Sequence, residues 1–161
     1  MKKEVNQAII LRQEGKLRES NILLLKMLEN NPDDALLHYQ CAWSFDILGE
    51  ESKAVPYYED AIELGLPDGD LQGALLGLGS TYRTLGEYEK SKNVFVKAVE
   101  LFPSNRAIQV FYSMTLYNLN EHSQAMELLI KCLVDTTSDK EIMNYERAIR
   151  FYSEKLNDVW E

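Results

Sequence analysis

Long apolar runs are missing from this chain of 161 residues. None approaches the roughly 18 residues that a membrane-spanning helix needs. The opening MKKEVNQAII lacks the apolar stretch and small-residue cleavage site of a secretory leader. A cytoplasmic location is the expectation. Cysteine is scarce: Cys41 and Cys132 stand far apart, with no CxxC pair and no Cys/His cluster. That pattern fits buried structural thiols better than a disulfide or a reactive pair. The two histidines, His38 and His122, have no metal-ligand spacing, so neither a metal nor a cofactor is expected. His122 follows a turn, where a solvated or capping role is usual. Motifs of catalysis are absent too. Gly77-Leu78-Gly79 begins a phosphate-loop pattern, but Tyr82 stands where the next glycine belongs and no strand precedes it. There is no GxSxG and no HExxH. The pairs Glu50–Glu51 and Glu59–Asp60 fall where solvent-facing residues belong. The chain reads as a non-enzyme.

Basic charge is also short. The net charge is −9, and residues 35–71 hold a single basic group, Lys53, against eight acidic ones. Phosphate backbones and anionic membranes are bound by clustered Lys and Arg. Nucleic acid and membrane are therefore excluded as expected partners. The acidic second segment is read either as a solvated face or as a draw for a basic partner.

What the chain does hold is a pattern. Within Gln72–Asn105, Leu75, Leu78, Gly79 and Tyr82 recur at the spacing of one helix face. Gly86 interrupts, as a residue just past a helix end does. Tyr88, Ser91, Phe95, Ala98 and Val99 form a second face, and Pro103 ends the unit. Small Gly79, Ser91 and Ala98 let two antiparallel helices approach, while Tyr82 and Phe95 fill the space between. The unit repeats. Gly15, Gly49, Gly86 and Asn120 are 34, 37 and 34 residues apart. Ser20, Ala54, Ser91 and Ala125 keep those intervals, as do Met27, Ala61, Ala98 and Cys132. Leu11, Phe45, Tyr82 and Leu116 supply a large partner each time.

These residues resemble the tetratricopeptide repeat, a helix–turn–helix unit of about 34 residues. The resemblance covers 1–138, and 71–160 resembles a group of small bacterial tetratricopeptide proteins labelled group 5. One departure is the place held by Glu4, His38, Leu75 and Gln109, where the family usually has a large apolar residue and only the third copy does here. With Gln7, Glu4 marks the first copy as the weakest. The resemblance implies an all-α fold: a right-handed α-α superhelix of four repeats, about 1–34, 35–68, 72–105 and 106–139, in a single domain. A capping helix over about 140–160 would follow. Its stripe Ile142, Tyr145, Ile149, Tyr152, Leu156 and Val159 would cover the last repeat. The stretch 64–70, LGLPDGD, carries a three-residue insertion. Its glycines and proline predict a non-helical linker, read either as a tolerated loop or as a hinge.

In stacked repeats the first helix of each pair lines the concave side. The family's groove places, carried over, include Val5 and Ile9 and the candidates Arg12, Tyr39, Trp43, Asp46, Ile47, Arg83, Met114 and Tyr117. Trp43 and Met114 suit adaptable apolar contact. Arg12 and Arg83 suit a carboxylate or peptide carbonyls. Whether Tyr39 belongs to groove or core is open. The lysines and asparagines with which chaperone-tail-binding members clamp a terminal carboxylate are replaced by Val5, Ile9, Gln40, Gly73 and Gly77, so EEVD-type tails are not expected to bind. The expected function is a protein–protein interaction module that takes a partner peptide or helix in the groove. The alternative is self-association into a homodimer through the same surface.

Overall fold

Four equivalent turns set the framework. Gly15, Gly49 and Gly86 have φ of +79°, +70° and +78°, and Asn120 has +62°. Asparagine is among the few side chains that tolerate this region, so the fourth copy keeps the turn without glycine. A computed structural model describes residues 2–161, Lys2 and Lys3 by backbone alone. Its elements are α1 (Lys2–Gln13), α2 (Leu17–Asn30), α3 (Ala35–Asp46), α4 (Glu51–Leu64), α5 (Asp68–Thr84), α6 (Tyr88–Leu101), α7 (Arg106–Asn118), α8 (His122–Thr136), α9 (Lys140–Asn144) and α10 (Glu146–Ser153). No strand occurs among the described residues. The chain forms two compact units, Met1–Glu87 and Tyr88–Glu161.

In the first unit α1 packs on α2, α3 on α4, and α4 on α5. Val5, Ala8, Leu24, Met27, Leu28, Leu37 and Cys41 make one apolar cluster. The first repeat is thus packed despite its polar Glu4 and Gln7. Val5, a groove place by resemblance, is 8% exposed and belongs to this core. Polar groups inside the unit are paired in sequence-distant sets. The Ser20 hydroxyl donates to the Ala8 carbonyl (2.7 Å), and the Asn21 amide donates to Ser44 Oγ (2.8 Å). Each such pair removes the cost of a buried polar atom left without a partner.

The insertion is shorter as a loop than its composition predicts. Only Gly65, Leu66 and Pro67 lie outside helix, and Asp68, Gly69 and Asp70 form the first turn of α5. Pro67 sits just before that turn, where its missing N–H costs nothing, and Asp68 and Asp70 favour the positive end of the helix. Two glycines of α5 then take the tyrosines of the second repeat. The Tyr39 hydroxyl lies against Gly73, and the Tyr58 ring lies against Gly77, where an added Cβ would stand 2.7 Å from Tyr58 Cε1. The two sides of the insertion are fitted to each other within one unit.

In the second unit, Ser91, Phe95, Ala98, Ile108, Thr115, Leu116, Ala125 and Cys132 are buried. Ser91 and Thr115 share a hydrogen bond of 2.8 Å, and the Phe95 and Tyr112 rings stack at 6.0 Å. The expected single capping helix is interrupted. Asn144, a weak helix former, ends α9, and Tyr145 (φ −104°, ψ 10°) breaks the ladder before α10. Of the apolar stripe, only Ile142 and Ile149 are half-buried. Arg150 and Glu154 tie this segment to α8 through Arg150–Asp135 (2.7 Å) and Lys131–Glu154 (2.7 Å), while Ser153, 2% exposed, donates to the Arg150 carbonyl (2.7 Å). Tyr145, Tyr152, Leu156 and Val159 stay exposed.

Candidate functional site

Helix α3 carries the largest share of the candidate face. Its 3.6-residue period puts Leu36, Trp43 and Ile47 on one side, and all three are exposed, Trp43 by 41%. Asp34 starts this helix by accepting the Leu37 N–H at 3.0 Å, which fixes the rotation of everything after it. Tyr39 shares the side and stacks near Trp43, with ring centroids 6.2 Å apart. It is half-buried, its hydroxyl on Gly73. From α1, the Arg12 guanidinium lies 3.9 Å above the centre of the Trp43 ring. Its Nη2 donates to Gln40 Oε1 at 3.0 Å, while Nη1 has no hydrogen-bond partner among the described residues. A guanidinium sandwiched against indole keeps its fork of donors in place. Partial burial lowers the Arg12 pKa, opposed by the phenols of Tyr39 and Tyr58.

Asp46 and Arg83 complete the candidates of the first unit. Asp46 accepts from the Tyr58 hydroxyl (2.6 Å) and the Thr81 hydroxyl (2.9 Å). Burial pushes its carboxyl above the usual range, and these two donors oppose the shift. Asp46 thus ties α3, α4 and α5 together. Arg83 is half-buried near the end of α5. In the second unit α7 presents Met114 (40% exposed) and Tyr117 (64%). The Tyr117 ring contacts the His122 ring at 4.9 Å, so that histidine is a surface neighbour of an aromatic.

Among the described residues no group of three or more His, Cys, Asp or Glu is placed to hold a metal ion, and no helix is long and apolar enough to cross a membrane. Both cysteines are free and buried, and burial pushes the Cys41 thiol up to about 12. That thiol stays protonated and unreactive near neutral pH.

Sequence reasoning missed two features. Gly73 and Gly77 read as lost clamp residues, whereas they are sockets for tyrosines. Their spacing of four on one helix face was the available signal. The second is at the turns between repeats. His38 Nε2 lies 2.7 Å from the Pro32 carbonyl, and Gln109 Nε2 donates to the Pro103 carbonyl at 2.6 Å. His38 and Gln109, at the same register, do one structural job.

The profile of the family described as Tetratrico peptide repeat (TPR_5) matches residues 35–156, beginning a full repeat earlier than the resemblance read from the residues. Superkiller protein 3 of Saccharomyces cerevisiae is 27% identical over 105 residues, covering 61% of this chain and 7% of that protein. BBSome complex member BBS4 of Xenopus tropicalis is 35% identical over 95 residues, covering 59% and 18%. The chain thus spans a small part of these relatives. Among solved structures, YrrB, a TPR protein with an unusual peptide-binding site, superposes with a TM-score of 0.71 at 19% identity, covering 96% of this chain and 77% of that one. MamA (41-end) from Desulfovibrio magneticus RS-1 gives 0.75 at 14%, covering 96% and 89%. These likenesses establish a TPR solenoid fold.

Proposed function

Since the chain belongs to the tetratricopeptide repeat family, we propose that it is a non-enzymatic module that binds a peptide or helix of a partner protein along the first helices of its repeats. The observation that carries this reading is the exposed row Leu36, Trp43 and Ile47 beside the Arg12 guanidinium. An apolar strip with one fixed cation suits a segment that offers large side chains and a main-chain carbonyl or carboxylate. Trp43 is the anchor, with Arg12 and Tyr39 setting its position. Ile47 extends the strip, while Asp46 and Arg83 border it. Met114 and Tyr117 offer a comparable strip in the second unit. The cytoplasm is the compartment we assign.

Trp43→Ala tests this. Capture of the partner by cross-linking should weaken by about 1–3 kcal/mol, the cost of truncating an aromatic anchor. Thermal unfolding should change little, because the indole is 41% exposed. Undiminished capture would reject the face, and a lost fold would make Trp43 core.

A second reading, self-association, is favoured by the exposed aromatic cluster of the second unit. Phe151, Tyr152 and Trp160 contact one another at ring separations of 5.2–6.4 Å, and each is more than half exposed. Sedimentation at micromolar concentration decides it, a monomer throughout removing the homodimer.

A further inference from the structure

The turn that opens the second repeat leaves one polar atom with nothing to bond. His38 is 8% exposed. Its Nε2 donates to the Pro32 carbonyl, so in the neutral imidazole Nδ1 presents a lone pair. Nδ1 is buried and has no hydrogen-bond partner among the described residues. Asp60 Oδ2 stands 3.5 Å from it, acceptor facing acceptor. His38 lies at the back of a cleft of about 280 Å³ lined also by Pro32, Asp33, Asp60, Glu63 and Leu64. Among the described residues no lysine or arginine lines it. Helix α4 ends at this cleft with no basic residue in its last turn, so its negative end is uncompensated. Beside the apolar Pro32 and Leu64, the side chains that line the space are His38 and the carboxylates Asp33, Asp60 and Glu63.

The fourth repeat shows what fills the same space. Residues there stand 71 positions later: Pro103 for Pro32, Asn105 for Asp34, Gln109 for His38. Gln109 makes the same bond to its proline carbonyl, and its other polar atom, Oε1, is satisfied. Arg106 Nη1 donates to it at 2.9 Å, and Cys132 Sγ lies 3.0 Å away. Arg106 Nη2 also pairs with Asp135 at 2.6 Å. The residue 71 positions before Arg106 is Ala35. The second repeat therefore keeps the bond to the proline carbonyl and lacks the cation; Leu64 stands where the fourth repeat has Asp135, and the carboxylate near His38 is instead that of Asp60.

We propose that the cleft floored by His38 receives an arginine side chain of a protein partner, whose guanidinium takes in the second repeat the place that Arg106 takes in the fourth. Arginine fits because its planar fork can donate to His38 Nδ1 and to Asp60 together, as Arg106 donates to Gln109 and Asp135. Asp60 is an exposed side chain, free to turn towards the incoming group. The cleft shares no residue with the Arg12–Trp43 face, so the two surfaces succeed or fail separately.

The test is a nuclear magnetic resonance titration of the whole chain at pH 7.5 with Nα-acetyl-arginine amide. The expected result is saturable movement of the His38 ring signals, with half-saturation on the order of millimolar for a single contact. The neutral Nα-acetyl-glutamine amide should leave them in place. Ala35→Arg supplies the cation from within the chain and should weaken the response at least about tenfold. Asp60→Asn with Glu63→Gln, both at exposed positions, should weaken it too and stands in if Ala35→Arg does not fold. Equal movement with the glutamine derivative, equal response in the variants, or a proton found on Nδ1 of the free protein would overturn the proposal. Equal affinity for Nα-acetyl-lysine amide would overturn the assignment to guanidinium.

Discussion

The turns before α3 and before α7 share a scaffold and differ in how they close. Both have a side-chain cap, Asp34 to the Leu37 N–H and Asn105 to the Ile108 N–H, at 3.0 and 3.1 Å. Both tie a buried polar side chain to a proline carbonyl six residues back. Around the fourth repeat, Arg106, Asp135 and Arg150 complete an internal charge network. Around the second, only carboxylates remain. The helix start is thus where a repeat is either sealed by its own chain or left open to another. Ala35 in place of Arg106, with Leu64 in place of Asp135, makes that difference while the capped turn is kept.

The largest expected effect comes from disturbing the platform of the second turn. Helix α4 carries Asp60 and Glu63, and its position rests on Tyr58 lying against Gly77. Gly77→Leu has no room to relax and should destabilise the first unit by about 1–3 kcal/mol through overpacking. Chemical denaturation measures it. A neutral result would mean that α4 is not held by this contact.

The next effect separates the shared bond from the unshared one. His38→Leu and Gln109→Leu each leave a proline carbonyl without its donor, and each should cost about 1–3 kcal/mol. His38→Gln restores the donor, as Gln109 does in its own turn, and should recover most of the loss. If glutamine is no better than leucine at 38, the two turns are not equivalent and the comparison breaks. Arg106→Ala should cost less, about 0.2–1 kcal/mol, because the guanidinium is 40% exposed and its pair with Asp135 is partly in water. That variant also opens the fourth turn, so its value sharpens the comparison directly.

How much of this the sequence shows can be judged residue by residue. The turn glycines, with Asn120 among them, were legible because positive φ restricts residue type. Helix α6 was legible to both ends, since its apolar period is unbroken between Gly86 and Pro103. The start of α5 was not. Pro67 and Gly69 read as helix breakers, but they fall at a helix start, where neither costs much. The division of α9 from α10 was hidden by a continuous stripe of apolar residues, because periodicity does not say which side meets a neighbour. On the candidate face, the exposure of Trp43 followed from the register, whereas the burial of Val5 depended on contacts with α2 and α3 that no local pattern encodes. His38 and Gln109 stood in register from the outset. They read as missing hydrophobes because the carbonyls they bind lie six residues away on a turn.

The smallest effect concerns two aspartates whose environments differ as the two turns do. Asp135 is held below the usual carboxyl range, first by the hydrogen bond from Arg150 and then by the charges of Arg106 and Arg150. Asp46 is pushed above that range by burial, against donation from Tyr58 and Thr81. The signs follow from linkage. A lowered folded-state value means that Asp135 adds stability above its unfolded value, roughly pH 3.9, and that this is lost as pH falls through the folded value. For Asp46 the order is reversed: its contribution is present below roughly pH 3.9 and is lost as pH rises through the raised folded value. Carbon-detected carboxyl titrations should therefore place the Asp46 midpoint above that of Asp135. In Arg106→Ala the Asp135 midpoint should rise while that of Asp46 stays. A reversed order in the unmodified chain would show that charge in the fourth repeat is not closed by its arginines, and that the contrast between the two turns is one of shape alone.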